Sequence, residues 1–317
     1  MNSKAYVVTL GETMALMSSD KAGPLAHAST MSLGIGGSES NVAIGLQRLG
    51  VQSVWCGRIG ADSLGQLVER EIRAEGVDVR VTVDDEAPTG LMIKERRTPS
   101  AQKVAYYRSG SAGSRIAPDD VDERLIAGAA LLHVSGITPA LSSQAASTLR
   151  YAIAAAKASG VPVSFDLNYR SKLWAAETAG SAYREIIPRA DIVFAGLEEA
   201  RLAVGPAADA EEAARRIAAM GPSQVVIKLG AEGALACIES QVFRQEALAI
   251  EALDTVGAGD AFVAGYLAEF IEGRQPRERL QTAVSTGAFV CLVPGDWEGL
   301  PRREELRLLG NHEPVSR

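Results

Sequence analysis

The segment richest in potential chemistry is DTVGAGDAF at 254–262, which runs straight into the helical pattern VAGYLAEFIEG. Gly257, Ala258 and Gly259 place three small residues at a predicted helix N-terminus. Unpaired backbone N–H groups and the positive end of the helix dipole favour an anion there. Small residues also let a phosphate come close to the backbone. Asp260 follows in the first helical turn, beside that anion site rather than inside it. A carboxylate so placed can take the proton of a hydroxyl that attacks a phosphate held by the N–H groups. The same spacing also suits a glycine-rich turn closed by Asp260 as a helix-capping acid.

Other routes to phosphate binding are missing. The chain has no GxxxxGK[ST], GIGGSE at 34–39 lacks the third glycine of GxGxxG, and protein-kinase signatures are absent. His27, His133 and His312 are scattered, with no HExxH and no pair at helical spacing, which argues against a dedicated zinc site. Cys56, Cys237 and Cys291 lie far apart without a CxxC, as expected of buried free thiols in a reducing compartment.

The elements that must position such a site alternate along the chain. AYVVTL (5–10), SVWC (53–56), LLHVS (131–135), VPVSFD (161–166), DIVFA (191–195) and QVVIKL (224–229) read as buried strands. Amphipathic stretches near 39–49, 62–75, 142–159, 198–204, 210–220, 258–272 and 276–291 read as helices. ASGVP (158–162) and MGPS (220–223) supply Gly and Pro where a helix must stop before the next strand. This alternation predicts an α/β fold with a mostly parallel sheet covered by helices on both faces. From 77 to 108 the rhythm breaks: VDVRVTV, TGLMIKER and KVAYYR alternate polar and apolar residues with no helix between them. They predict an antiparallel hairpin or meander with one solvated face, a small flap closing over a site.

The composition sets bounds on function. The chain has 317 residues, net charge −7, 47% apolar and 22% charged residues, which excludes a disordered or collagen-like chain. A pI near 5.2 argues against nucleic acid as a partner. MNSKAYVVTLGE has no charged region followed by a long apolar one, so no secretory signal is expected. No apolar run approaches the roughly 18 residues that span a bilayer, so no membrane partner is expected. The expected location is the cytoplasm. No repeat, low-complexity tract or linker divides the chain, which predicts one domain over 1–317 with lid strands inserted at about 11–36 and 77–110.

DTVGAGDAF resembles the C-terminal signature of the ribokinase-like, or PfkB-type, carbohydrate kinases. GIGGSESNVAIGLQRLG (34–50) resembles their N-terminal signature, with a Gly-Gly turn, Asn41 and a helix running to Leu49-Gly50. GRIGADSLGQ (57–66) and VVIKLGAEGA (225–234) fit in order and spacing, so the resemblance spans nearly the whole chain. It implies a three-layer α/β/α domain with a small β lid. It also implies an anion hole at Gly257, Ala258 and Gly259, with Asp260 as catalytic base. The implied reaction is in-line transfer of the ATP γ-phosphoryl group to a primary hydroxyl, assisted by Mg²⁺. The family's NxxE segment corresponds to AGLEEA (195–200), where Gly196 replaces the Asn and Glu199 remains to position magnesium through water. The resemblance also implies that Lys228 and Gly230 end a strand beside the nucleotide, and that Gly230 and Gly233 let ATP approach the backbone. Lys228 would serve equally as a solvated charge, and both glycines as turn residues.

A neutral sugar needs only hydrogen-bonding partners, whereas a sugar acid needs a cation. Tyr106 and Arg108 lie two apart on a predicted strand and so face the same way. Arg170 lies just beyond a strand's C-terminal end, where open α/β sheets bind ligands. The guanidinium fork bonds both oxygens of a carboxylate at once. YYRxGSAGS, DxNYRxxLW and GDWEGLP (295–301) resemble segments of the 2-keto-3-deoxygluconate kinases within the family. That resemblance implies that Arg108 and Arg170 hold the carboxylate and keto end, and that Tyr106 lines the pocket. It further implies that Gly37 and Asn41 contact hydroxyls, that Asp296 binds another substrate oxygen, and that Asn168 lies near the phosphates. Two departures stand out: Leu167 where Pro often follows the Asp, and Met92 where a Tyr commonly follows PTGL. A thioether donates no hydrogen bond, so the gluco acid, its galacto epimer and other 2-keto-3-deoxy acids all stay open. A fructokinase or other neutral-sugar kinase, and a non-catalytic sensor on the same scaffold, are the alternatives. Lid strands in this family often pair between subunits, so a homo-oligomer is expected.

Overall fold

The computed structural model describes residues 6–98 and 101–310; Ala5 of the first predicted strand, Pro99 and Ser100 of the flap, and His312 lie outside them. The first half of the chain forms β1 (Tyr6–Leu10), β2 (Met14–Ser19), β3 (Met31–Gly36), α1 (Ser38–Arg48), β4 (Gln52–Gly60), α2 (Ser63–Ala74), β5 (Asp78–Asp84), β6 (Leu91–Arg96) and β7 (Gln102–Tyr107). Next come α3 (Glu123–Ala127), β8 (Leu131–Ser135), α4 (Thr138–Leu141), α5 (Ser143–Ala158), β9 (Val163–Asp166), α6 (Ala176–Ile186), β10 (Ile192–Gly196) and α7 (Leu197–Val204). The chain then adds α8 (Ala210–Ala218), β11 (Gln224–Lys228), β12 (Ala234–Ile238), β13 (Gln241–Gln245), α9 (Ala258–Ile271) and α10 (Pro276–Val290).

Among the described residues, the main sheet has nine strands in the order β13-β12-β11-β10-β9-β8-β1-β4-β5. All neighbours from β11 to β5 pair in parallel, and β12 and β13 add an antiparallel edge. Successive residues on these strands point to opposite faces. Val7, Phe194 and Val226 pack with Val42, Leu46, Val263 and Tyr266 of α1 and α9. Their neighbours Val8, Val193 and Ile227 pack with Leu149, Ile153, Tyr183 and Ile217 on the other face. Burial on both faces is what makes these strands read as unbroken apolar runs rather than alternating ones. The result is the three-layer α/β/α arrangement. No helix among the described residues is long and apolar enough to cross a membrane.

A separate sheet of four strands, ordered β3-β2-β6-β7, forms the lid. Two antiparallel hairpins, β2–β3 and β6–β7, join through the parallel β2–β6 pair. The flap therefore draws on both predicted segments, with one correction. VDVRVTV does not join it: β5 follows α2 and pairs in parallel with β4, Val54 opposite Asp78 through Gly60 opposite Asp84. As the edge strand of the main sheet, β5 buries Val79 while Arg80 is exposed. A strand covered on one face alternates just as a lid strand does, so periodicity alone does not separate them.

Candidate active site

The parallel strands end on one side of the sheet, and the lid stands over those ends. Between them lies a cavity of about 1440 Å³. Helix α9 points its N-terminus into it, with Gly257, Ala258 and Gly259 on the wall. Gly257 caps α9 at φ 79°, a left-handed backbone that favours glycine, and a Cβ there would fall 1.9 Å from the Asp296 carbonyl oxygen. Space above Gly259 is open except for Lys228 Nζ, 3.7 Å from where a Cβ would stand.

Asp260 is buried and held from several sides. Ser38 Oγ donates to its Oδ1 at 2.7 Å, and Asn41 Nδ2 donates to its Oδ2 at 2.9 Å. Asn168 Nδ2 donates to Ser38 Oγ at 2.8 Å and reaches Asp260 Oδ1 at 3.5 Å. Asn168 itself sits at φ 40°, a left-handed conformation that Asn tolerates better than most residues. Its side-chain bonds hold that turn, as does the N–H of Tyr169, which donates to Glu199 Oε1 at 2.8 Å. Leu167 N–H donates to the Phe194 carbonyl at 2.9 Å, a bond that proline in its place would remove.

Glu199 takes a second backbone N–H, from Gly196 at 2.7 Å, and so caps α7 while facing the cavity. A Cβ on Gly196 would meet only the Glu199 side chain, at 3.5 Å or beyond, so crowding does not force the glycine. Lys228 reaches both oxygens of the buried Asp166 at 2.8 Å. Burial alone would lower the Lys228 pKa, but the carboxylates of Asp166, Glu199 and Asp260 outweigh it and keep the ammonium charged. Gly230 stands at φ 58° with nothing within 4 Å of a Cβ position, leaving its face open to a ligand. Gly233, at φ 99°, is crowded by β13 instead, its Cβ position 2.0 Å from the Gln245 carbonyl oxygen.

On the lid side, Met92 pairs across strands with Tyr106 and packs with Met14, Leu16 and Val104 in an apolar patch facing the cavity. A Cβ on Gly36 would strike the Met92 methyl and the Asp296 carboxylate, so that patch abuts Asp296 directly. Gly37 lines the cavity and packs tightly against the Glu12–Thr13 backbone. Asn41 Nδ2 also donates to Asp296 Oδ1 at 3.2 Å, linking the two acids. Burial, and then the Asp260 charge, push the Asp296 carboxyl up to about 7. In the unfolded chain it ionises at about 3.9, so unfolding releases a proton between those values and the stability of the native state falls as pH rises through them. Asp296→Asn removes that loss. Relative to the unsubstituted protein, the variant is expected to gain more than about 1 kcal/mol between about pH 4.5 and about pH 7.5, measured by urea denaturation. A stability difference that does not change with pH means that Asp296 is already ionised in the acid-side fold.

The arginines separate in environment. Arg170 is exposed on the cavity rim. Arg108 is buried at 9% exposure and already engages a carboxylate: Glu12 Oε2 accepts from its Nε at 2.8 Å and from Nη2 at 2.5 Å. The Ser111 hydroxyl bonds the other Glu12 oxygen. Glu12 was not legible as a site residue, because an isolated acid after a strand carries no local signal. Lys94 was also missed; it crosses from the lid to Asp254 Oδ2 at 2.5 Å and the Gly295 carbonyl at 3.1 Å. Asp254 shapes the approach to α9 by accepting from Val256 N–H at 3.1 Å. Its place at the head of DTVGAGD was the available signal.

A helix N-terminus stands beside a clamped carboxylate, at the carboxyl ends of parallel strands and under a lid, an arrangement suited to moving a phosphoryl group onto a small hydroxyl compound. The fold and site define a small-molecule phosphotransferase. More particularly, the chain belongs to the pfkB family of carbohydrate kinases, whose family model matches residues 4–303. It is 36% identical over 307 residues to a 2-dehydro-3-deoxygluconokinase of Bacillus subtilis (strain 168), covering 96% of this chain and 94% of that protein. A 2-dehydro-3-deoxygalactonokinase of Haloferax volcanii is 33% identical over 294 residues, covering 92% of each. Among solved structures, a PfkB protein from Polaromonas sp. JS666 superposes with a TM-score of 0.87 at 36% identity, covering 96% of this chain and 99% of that one.

Proposed function

We propose that this chain is an ATP-dependent kinase that phosphorylates 2-keto-3-deoxygluconate at its terminal hydroxyl, giving 2-keto-3-deoxy-6-phosphogluconate. The observation that carries the reaction is the Asp260 carboxylate, fixed by Ser38 and Asn41 at the mouth of α9. Asp260 accepts the hydroxyl proton as the sugar oxygen attacks, and the N–H groups at Gly257, Ala258 and Gly259 receive the charge on the transferring group. Asn168, Lys228, Gly230 and Gly233 line the nucleotide side of the cavity. Gly37, Asn41, Tyr106, Arg108, Arg170 and Asp296 line or face the sugar side, Asp296 able to donate a hydrogen bond while protonated.

Magnesium fits this site as an ion brought with the nucleotide. No group of three or more His, Cys, Asp or Glu among the described residues forms a metal cage. Mg²⁺ usually keeps several waters and binds through phosphates with one or two carboxylates. Glu199, whose oxygens already accept backbone N–H groups, would reach it through water. When bound, the ion neutralises phosphate charge.

The sugar-acid assignment draws on the names of the relatives and on an exposed guanidinium at the rim, Arg170. Purified protein with ATP and Mg²⁺ should phosphorylate 2-keto-3-deoxygluconate in preference to fructose or ribose. Turnover of a neutral sugar but of no keto acid overturns the assignment. The galacto epimer belongs in the same panel, because Met92 offers no hydroxyl with which to select one epimer. The chain acts as one kinase domain in the cytoplasm, a setting that fits its free, buried Cys56, Cys237 and Cys291.

It assembles through the outer face of the lid. Leu33, Met17, Ile93 and Ala105 stand side by side across that face, with Leu33 at 59% and Tyr107 at 63% exposure. An apolar sheet face left open to water favours a second copy. Leu33→Asp combined with Tyr107→Asp is expected to convert an oligomer to monomer in sedimentation velocity. A monomeric unsubstituted protein overturns the proposal.

A further inference from the structure

Among the described residues, five cationic side chains line the cavity: Lys94, Arg108, Arg170, Lys172 and Lys228. Three of them are neutralised by a buried carboxylate. Lys94 pairs with Asp254 at 2.5 Å, Arg108 with Glu12 at 2.5 Å and Lys228 with Asp166 at 2.8 Å. A cation held this way offers an incoming anion hydrogen-bond donors but little net charge. Arg170 and Lys172 have no acidic partner among the described residues, although both stand on the cavity wall.

Lys172 is nonetheless held in place. Its Nζ donates to the Val104 carbonyl of lid strand β7 at 2.8 Å and lies 5.6 Å from the centroid of the Tyr106 ring. Arg108 approaches the same ring at 5.9 Å. A carbonyl and a π face orient an ammonium without cancelling its charge. An ammonium has three donors, so after the Val104 bond two remain free.

We propose that Lys172 is a further specificity-determining residue: beside Arg170, for which the family resemblance already implies this role, it supplies a second uncancelled charge that recognises the carboxylate of the sugar acid. This assignment rests on the sugar-acid function proposed above. Its chemistry is electrostatic: Lys172 and Arg170 are the cavity cations whose charge a carboxylate can neutralise without competing against a buried acid. Because Lys172 is tied to β7, it presents that charge at the junction of the lid and the loop after β9.

The test compares acceptors that differ only at the carboxylate. Steady-state constants are measured for 2-keto-3-deoxygluconate and for 3-deoxyfructose, the same skeleton with CH₂OH in place of the carboxylate. An inhibition constant replaces KM if 3-deoxyfructose is not turned over. Lys172→Met is expected to raise KM for the acid about fivefold, with kcat and the KM for ATP unchanged. The constant for 3-deoxyfructose should not move, and Lys172→Arg should restore the KM for the acid. An unchanged KM for the acid overturns the proposal. So does an equal rise for both acceptors, which would mark Lys172 as a lid strut only. If the unsubstituted protein phosphorylates no keto acid, the sugar-acid function fails and this assignment fails with it.

Discussion

Asp260→Asn is expected to lower kcat by about 10³-fold, within the range that a positioned general base contributes, while ATP binding is retained. The substitution keeps the shape of the side chain and removes its ability to accept a proton. The surrounding clamp can adapt: the Ser38 hydroxyl rotates, and Asn41 Oδ1, which is buried without a partner among the described residues, becomes the acceptor for the new amide if the Asn41 side chain flips. The fold should therefore survive, so the loss reports on chemistry. Single-turnover kinetics with 2-keto-3-deoxygluconate, paired with calorimetric titration of ATP, separates the two quantities. A variant retaining more than about a tenth of the original kcat removes Asp260 as the base.

Arg108→Met is expected to destabilise the protein by about 3–5 kcal/mol, the usual cost of removing one member of a buried ion pair. Glu12 is 3% exposed, and Gly90 and Gly113 pack so closely on its side chain that a Cβ on either would lie 2.7 Å or 2.2 Å from it. Without Arg108 its carboxylate keeps the Ser111 hydroxyl but has no counter-charge and little room for water. Adding Glu12→Gln removes the stranded charge, and the double variant should recover most of the loss. Urea denaturation of the two single variants and the double variant closes the cycle. A cost below about 1 kcal/mol for Arg108→Met would show that Glu12 does not depend on it. A large cost carries a further consequence: low activity of an Arg108 variant would not by itself establish contact with substrate.

Much of the fold follows from local pattern. LLHVS at 131–135 coincides with β8, and the 258–272 and 276–291 stretches coincide with α9 and α10 to within a residue. Both periods are read over a few residues, which is the range over which secondary structure is decided. Helix α6 was not anticipated from its sequence, AETAGSAYREI, although Ala179, Gly180, Tyr183 and Ile186 lie at helical spacing and form its buried face. β13 was missed because a short strand at a sheet edge carries few buried positions, and β12 because ALACI, though buried at four of its five residues, has only one β-branched residue to mark it as a strand. β5 was assigned to the wrong sheet because its alternation records one covered face without naming what covers it.

The sequence by itself determined the proposed phosphate-binding end of the site. Gly257, Ala258, Gly259 and Asp260 are consecutive, so one helix start brings the proposed anion hole and the carboxylate together, and the spacing is the geometry. It also singled out two cations, Arg108 and Arg170, that the structure places on the cavity wall. Only the tertiary structure decided which of those charges are free. Glu12 lies 96 residues from Arg108, Asp254 lies 160 from Lys94 and Asp166 lies 62 from Lys228. Whether a buried cation meets a carboxylate depends on which strand ends the sheet order places side by side, and no local spacing encodes that. The same order leaves Lys172 over Tyr106 with its charge uncancelled, although in the sequence it is one basic residue among 32.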